Sequence, residues 1–246
     1  MERLILIETS TALCSAALAE DGIIISYRES SAPKAHASLT AVFIQEMLAE
    51  KGLTIADCDA ICVGMGPGSY TGLRVGVSTA KGLCFGSGKS MIAVGTLDTL
   101  VAQAFTLSQD VALSENPTYI VPMIDARRME VYSAVFEVAV QAGNDGDAAG
   151  YEVRQITETT PVIIDEASFA DILEKGKVLF IGDGAGKCAD VIKHPNAAFV
   201  QCWPNAAAML KPATQAYKEK RFEDVAYFEP FYLKEFVATV SKKKMW

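Results

Sequence analysis

Residues 64–76, with the sequence Gly-Met-Gly-Pro-Gly-Ser-Tyr-Thr-Gly-Leu-Arg-Val-Gly, constrain the fold more than any other part of the chain. Five glycines and a proline stand between an apolar run at 61–63 and a stretch with helical spacing. Glycine is needed where φ is positive or where a ligand or another backbone approaches closely. The segment therefore predicts a strand, a tight loop and a helix, an arrangement that often cradles phosphate.

Two well-known motifs of this kind do not match the loop. A Walker A loop closes with Gly-Lys-Ser/Thr, but Leu73 follows Gly72 here. A nucleophile elbow has glycine two residues before the serine, and Pro67 stands two before Ser69. The loop is therefore not an obvious ATP-binding or acyl-transfer site.

The helix after the loop carries small residues at every fourth position, namely Gly72, Gly76 and Ala80. Each glycine inside a helix costs about 1 kcal/mol relative to alanine, so a close contact must compensate for it. We expect this face to pack against a helix of another subunit, as small residues do in membranes. The alternative is that it packs only on the chain's own sheet.

Composition limits the class of protein. The chain has 246 residues with 50% hydrophobic residues and a formal net charge of −8, which suits one large or two moderate domains. We expect a cytoplasmic protein, since no apolar run is long enough to span a membrane. Six cysteines without a Cys-x-x-Cys pair predict reduced core thiols, and with two histidines they argue against a zinc site. An acidic chain is a poor candidate for binding RNA alone.

The pattern of apolar residues predicts βββαβαβα for the first part of the chain, residues 1–105. The predicted strands are 4–7, 12–19, 23–27, 59–64 and 90–94, and the predicted helices are 35–51, 71–85 and 96–105.

A second domain is predicted at 106–227, entered through a crossover at 106–118, and a C-terminal tail at 228–246 is expected to dock on a domain or a partner. The predicted strands of the second part are 119–124, 131–140, 151–156, 178–181 and 199–202, with helices at 165–175, after 187 and at 205–219, the last interrupted near Pro212. A loop tip is predicted at 143–150.

An antiparallel meander followed by helices and parallel strands, twice in one chain, resembles the actin-like ATPase superfamily. The resemblance implies an α/β fold of two actin-like (ribonuclease H-like) ASKHA domains, each a mixed β-sheet with flanking helices. It also implies vestigial nucleotide-facing positions at three turns. These are Glu8, Thr9 and Ser10 in the first turn, Asp125 in the second, and Gly182 and Gly184 in the third.

The segments 7–11, 66–76, 124–132 and 229–234 resemble the signatures of one branch, the TsaB family, also called YeaZ. The resemblance implies a partner subunit in the synthesis of N6-threonylcarbamoyladenosine at position 37 of tRNAs that read codons starting with A. The catalytic subunit would be TsaD, and the ATPase TsaE would join the complex. It further implies contact with tRNA only through the complex, a homodimer when the chain is alone, and no membrane association.

Two departures from the superfamily pattern favour a subunit without catalytic residues or a metal site. TsaD holds its metal with a His-x-x-x-His pair, and the matching positions here are Thr96 and Leu100. The acid of the first turn is Glu8, where the family more often has aspartate. We therefore expect no cofactor, although weak binding of ATP or ADP stays open.

The predicted partner interface combines the helix at 35–51 with the glycine-bearing helix. Its residues are Leu39, Phe43, Met47, Tyr70, Gly72, Leu73, Arg74, Gly76, Val77 and Ala80. Two other functions stay open, a stand-alone actin-like small-molecule kinase or ATPase and a metallopeptidase. The second is the weaker because the chain lacks an obvious set of metal ligands.

Overall fold

A computed structural model describes residues 1–107, 117–141 and 150–233. The first half has the predicted order βββαβαβα, with a short 3-10 turn at Ile55–Asp57 added before the fourth strand. Its elements are β1 (Arg3–Glu8), β2 (Cys14–Glu20), β3 (Ile23–Ser30), α1 (Ala35–Glu50), β4 (Ala60–Gly66), α2 (Tyr70–Ser87), β5 (Ser90–Gly95) and α3 (Thr96–Leu107).

The first sheet has the strand order β3-β2-β1-β4-β5. The pairs β1–β2 and β2–β3 are antiparallel, whereas β1–β4 and β4–β5 are parallel. Alternate residues of β1 point to opposite faces, so Ile5 and Ile7 join the core under α1 and α2, and Leu4 and Leu6 join a core on the other face. Because β1, β4 and β5 are parallel, their carboxyl ends lie side by side at the same end of the sheet.

The second half forms a seven-stranded sheet with the path β10-β7-β6-β11-β12, in which β8 pairs with β6 and β9. Its elements are β6 (Tyr119–Asp125), β7 (Glu130–Ser133), β8 (Phe136–Gln141), β9 (Gly150–Gln155), β10 (Thr160–Ile163), α4 (Ala170–Leu173), β11 (Val178–Gly182), α5 (Ala185–Ala189), β12 (Ala197–Gln201), a 3-10 turn (Ala206–Met209) and α6 (Leu210–Lys218).

The single return strand predicted at 131–140 is wrong, because the structure divides it into β7 and β8. The end of β6 pairs with β7, and its start, Tyr119 and Ile120, pairs with β8. β7 then continues to β10, while β8 continues to β9. The chain changes partners at the two residues between the strands, which the apolar pattern does not reveal.

Two predicted helices of the second half are shorter than expected. Of 165–175 only Ala170–Leu173 is helical, because Asp165 and Ser168 bond to each other in a turn and Phe169 has a φ of 65°. The helix predicted at 205–219 changes from 3-10 to α at Leu210, two residues before Pro212. Pro212 lies in the first turn of α6, where a proline costs little.

Helical segments of each half pack against the sheet of the other half, so the apolar packing extends across the predicted boundary between 1–105 and 106–227. Leu97, Leu100 and Val101 of α3 pack with strands of the second sheet. Met209 and Ala213, from the second half, pack on the first sheet. Each of these segments thus presents apolar side chains to the sheet of the other half.

Several predicted segments fall outside the described residues. These are most of the crossover at 106–118, nearly all of the loop tip at 143–150, and the tail from 234 onwards. None of the described helices combines the length and the apolar character needed to cross a membrane.

Candidate functional site

The glycine-rich loop packs against the chain's own first turn. The Ser69 amide donates to the Ser10 carbonyl at 2.6 Å, and the Thr9 hydroxyl donates to the Gly72 carbonyl at 2.9 Å. A Cβ at Gly68 would overlap with the Ser10 carbonyl, and one at Gly72 with the Thr9 carbonyl. The glycines of the loop therefore admit another backbone segment.

The same contact continues along α2, where a Cβ at Gly76 would meet the Thr9 hydroxyl. Seven of the ten predicted interface residues are buried within the chain itself: Phe43, Met47, Gly72, Leu73, Gly76, Val77 and Ala80. These seven side chains are enclosed by the chain's own packing, because the glycine face is what lets α2 lie against the end of β1. The alternative interpretation, packing on the chain's own sheet, is the one that the structure supports.

Of the remaining predicted interface residues, Leu39 and Tyr70 are partly exposed and Arg74 is exposed. The Arg74 guanidinium lies 5.4 Å from the centroid of the Tyr70 ring and donates to the Tyr70 hydroxyl at 3.4 Å. These three residues can still contact a partner.

A different face of the same two helices is open. It is uncharged and made mostly of small side chains: Ala37, Ser38, Ala41, Val42 and Gln45 on α1, and Thr71, Val75, Ser78, Gly82 and Phe85 on α2. We call these ten residues the outer face. Phe85 is 89% exposed and Val42 is 39% exposed. A groove between the helices, lined in part by Ala37, Thr71 and Ser78, runs along the outer face.

Sequence reasoning missed the outer face although its signal was present. On α2 the residues 71, 75, 78, 82 and 85 recur at helical spacing, beside the glycine stripe at 72 and 76. Both stripes consist largely of small residues. Spacing alone does not say which of two adjacent stripes meets the chain's own sheet.

Glu8 lies at the end of β1 and is completely buried. Its Oε1 accepts from the Ser10 amide at 2.7 Å, and its Oε2 has no hydrogen-bond partner among the described residues. Burial raises the pKa of the Glu8 carboxyl, and the bond from Ser10 opposes that effect. The predicted first-turn residues Glu8, Thr9 and Ser10 are thus close together, but they face the protein interior.

The structure brings the second and third turns together. The Asp125 amide donates to Asp183 Oδ1 at 2.9 Å, and the Gly184 amide donates to the Met123 carbonyl at 3.0 Å. Gly182 has a φ of 133° and packs beside the Met123 carbonyl. Burial raises the pKa of Asp183 to about 6.

Lys187 is the residue of this region that the sequence analysis did not single out. Its ammonium donates to the Asp125 carboxylate, to the Arg128 carbonyl at 2.8 Å and to the Glu130 carbonyl at 2.7 Å. The Arg127 amide also donates to Asp125 at 2.7 Å. The acid of the second turn is therefore already held by groups of the chain itself.

The positions that match the metal-binding pair of TsaD lie in α3. Thr96 and Leu100 are both completely buried. Among the described residues no three His, Cys, Asp or Glu side chains are close enough together to hold a metal ion. All six cysteines are free thiols, five of them buried.

Comparison with known proteins places the chain in a family. A family model described as "TsaD: tRNA N6-adenosine threonylcarbamoyltransferase" matches residues 28–242. The tRNA threonylcarbamoyladenosine biosynthesis protein TsaB of Escherichia coli K12 is 30% identical over 239 residues, which is 96% of both chains. The chain belongs to the TsaB (YeaZ) family. The TsaB protein of Haemophilus influenzae is also 30% identical, over 94% of this chain and 93% of its own.

The fold of TsaB is also seen in solved structures. YeaZ from Pseudomonas aeruginosa matches with a TM-score of 0.76 at 24% identity, covering 95% of this chain and 100% of that one. A second Pseudomonas aeruginosa structure, described as similar to peptidase YEAZ, has a TM-score of 0.77. The predicted resemblance to the TsaB family and the predicted actin-like α/β fold are both confirmed.

Proposed function

We propose that this chain is a non-catalytic subunit that activates TsaD in the synthesis of N6-threonylcarbamoyladenosine at position 37 of tRNA. The full-length relatives in two bacteria are named for the biosynthesis of this nucleoside. The chain would act by pairing with TsaD and by allowing the ATPase TsaE to join the complex.

The observation that carries this proposal is the outer face of α1 and α2. Uncharged, small side chains let two helices approach another pair closely, and an exposed ring such as Phe85 is typical of an interface. Because the TsaD family model covers 28–242 of this chain, TsaD itself would present an equivalent helix pair. Two such pairs can pack about a pseudo-twofold axis, and in the absence of TsaD a second copy of the chain could take its place.

The internal bonds of the turns support a role without catalysis. A phosphate at the first turn would need backbone amides, yet the Ser10 amide already donates to Glu8. In the second turn the Asp125 carboxylate is likewise occupied, because it accepts a hydrogen bond from the Lys187 ammonium. Any ATP or ADP would therefore bind weakly, and the same contacts count against a stand-alone kinase or ATPase.

Charge supports contact with tRNA mainly through the partners. The net charge of −8 repels a polyanion, and affinity for nucleic acid comes largely from lysine and arginine. The complex would work in the cytoplasm, where tRNA is modified.

Reconstitution tests the proposal. The purified chain is combined with TsaD and TsaE of its own organism, unmodified tRNA, ATP and the precursors of the threonylcarbamoyl group. We expect modified tRNA only when all three proteins are present, and co-elution of the chain with TsaD on size exclusion. Modification at full rate without this chain would contradict the proposal.

A further inference from the structure

The last described residues form a strap that runs beside α2 towards its first turn. We define the strap as residues 223–233. It begins where the Glu223 amide donates to the Met91 carbonyl of β5 at 2.9 Å. It then passes Lys81 of α2, whose ammonium donates to the Ala226 carbonyl at 3.1 Å. Val225 and Phe228 pack against the core beneath α1 and α2.

The end of the strap is attached to the glycine-rich loop. The Phe231 amide donates to the Met65 carbonyl at 2.8 Å. The Phe231 carbonyl lies 2.9 Å from where a Cβ of Gly66 would be, so a side chain at 66 would displace the strap. Glycine at 66 is thus required both by its φ of 110° and by this contact with residues far away in the sequence.

Beyond this attachment the strap reaches Tyr70, which lines the same groove as Ala37, Thr71 and Ser78 of the outer face. The Tyr232 and Tyr70 rings contact each other with centroids 4.9 Å apart and planes tilted by 38°, and Arg74 lies over the Tyr70 ring. Tyr232 is still 38% exposed. Tyr70, Arg74 and Tyr232 thus form a cationic aromatic cluster, and Tyr70 and Arg74 share the first turns of α2 with Thr71 and Val75 of the outer face.

We propose that the strap is part of the partner surface, with Tyr232 as a direct contact and with Arg74 receiving an acidic side chain of the partner. The proposal rests on the proposed function, which supplies TsaD as the occupant. Its own basis is the continuity of the cluster with the outer face. In addition, no carboxylate within the described residues forms an ion pair with the exposed Arg74.

The chemistry of the cluster fits such a contact. Tyrosine and arginine dominate the binding energy of many interfaces. A tyrosine ring buries a large area, and a guanidinium can bind a carboxylate through two parallel hydrogen bonds. An arginine already held over a ring loses less conformational entropy on binding than a free one. A single acidic side chain beside an apolar helix surface is therefore the feature we expect on TsaD.

The test measures the dissociation constant for TsaD and the thermal midpoint of the isolated chain for each variant. We expect Tyr232→Ala and Arg74→Gln each to weaken binding about tenfold, the loss typical of an interface anchor. Tyr232→Phe keeps the ring and should bind like the wild type. Phe222→Ala is the matched control, since Phe222 is 43% exposed and lies next to Tyr217 of α6.

The outcomes separate this inference from the proposed function. Wild-type affinity of Tyr232→Ala, together with loss of binding by the outer-face variant Ser78→Trp, would overturn the strap as a contact and leave the partner surface in place. Wild-type affinity of both variants would overturn the surface itself. If Tyr232→Ala and Phe222→Ala weaken binding to TsaD equally, the strap is a purely structural element, and the inference is also overturned.

Discussion

The Thr9 hydroxyl donates a hydrogen bond of 2.9 Å to the Gly72 carbonyl, which joins the end of β1 directly to the first turn of α2. No side chain fits between the two backbones, because a Cβ at Gly72 would overlap with the Thr9 carbonyl. Gly72 and Gly76 of α2 are thus required by the fold of the single chain. This contact also determines which face of α2 is left for a partner.

Gly72→Ala should destabilise the isolated chain by about 1–3 kcal/mol, the usual cost of forcing extra atoms into a packed site. Gly82→Ala is the matched control in the same helix, since a Cβ there has nothing within 4 Å. The control should stabilise the chain by about 0.5–1 kcal/mol. Urea denaturation measures both, and equal midpoints would show that the close packing is not real.

Ser78→Trp should leave the isolated chain folded and abolish co-elution with TsaD. Ser78 is exposed in the middle of the outer face, so a large ring there would hold a partner helix away. Gln215→Trp on α6 places the same ring on an exposed site of the opposite face of the first sheet and should bind normally. Circular dichroism verifies that both variants fold.

Glu8→Gln should stabilise the chain at neutral pH but not in acid. Burial raises the pKa of Glu8 from the ordinary value of 4.5, so the folded chain holds this proton more tightly than the unfolded chain. The free energy of unfolding therefore falls as the pH rises from about 4.5 towards the raised pKa. Glutamine has no charge to bury, so the variant avoids that loss.

Denaturation at pH 4 and at pH 8 measures this difference. The exposed Glu158→Gln serves as the control and should change the two free energies equally. A larger advantage for Glu8→Gln at pH 4 than at pH 8 would contradict the burial of a carboxyl with a raised pKa.

The isolated chain should neither hydrolyse ATP nor transfer a threonylcarbamoyl group, and Glu8→Ala should not alter either result. Phosphate release with a coupled assay, and analysis of the tRNA nucleosides, measure the two activities. Steady ATP turnover that disappears in Glu8→Ala would instead favour the stand-alone kinase or ATPase.

The isolated chain should bind tRNA weakly at about 150 mM salt, where exposed charges are well screened. Its clustered positive residues are Arg127 and Arg128, which are exposed, and Lys242–Lys244, which lie outside the described residues. Each neutralised phosphate adds only about −0.9 to the salt slope for a duplex. Micromolar binding that is lost on removing Lys242–Lys244 would make the tail an RNA contact.

The sequence by itself determined the element order of the first half, because apolar spacing and turn residues there act over short distances. It also determined that residues 64–76 need glycine, and its motifs identified the family. The resemblance also pointed to the turns at Asp125 and at Gly182–Gly184, but that they lie together follows from the parallel pairing of β6 with β11, which the structure shows.

Only the tertiary structure decided which stripe of α2 is buried, because Thr9 comes to it from 63 residues away. The same holds for Lys187, which reaches Asp125 across 62 residues, and for Tyr232, whose ring contacts that of Tyr70. Two adjacent stripes of small residues look alike in a sequence. Their roles differ because the packing of distant segments removes one from solvent and leaves the other exposed.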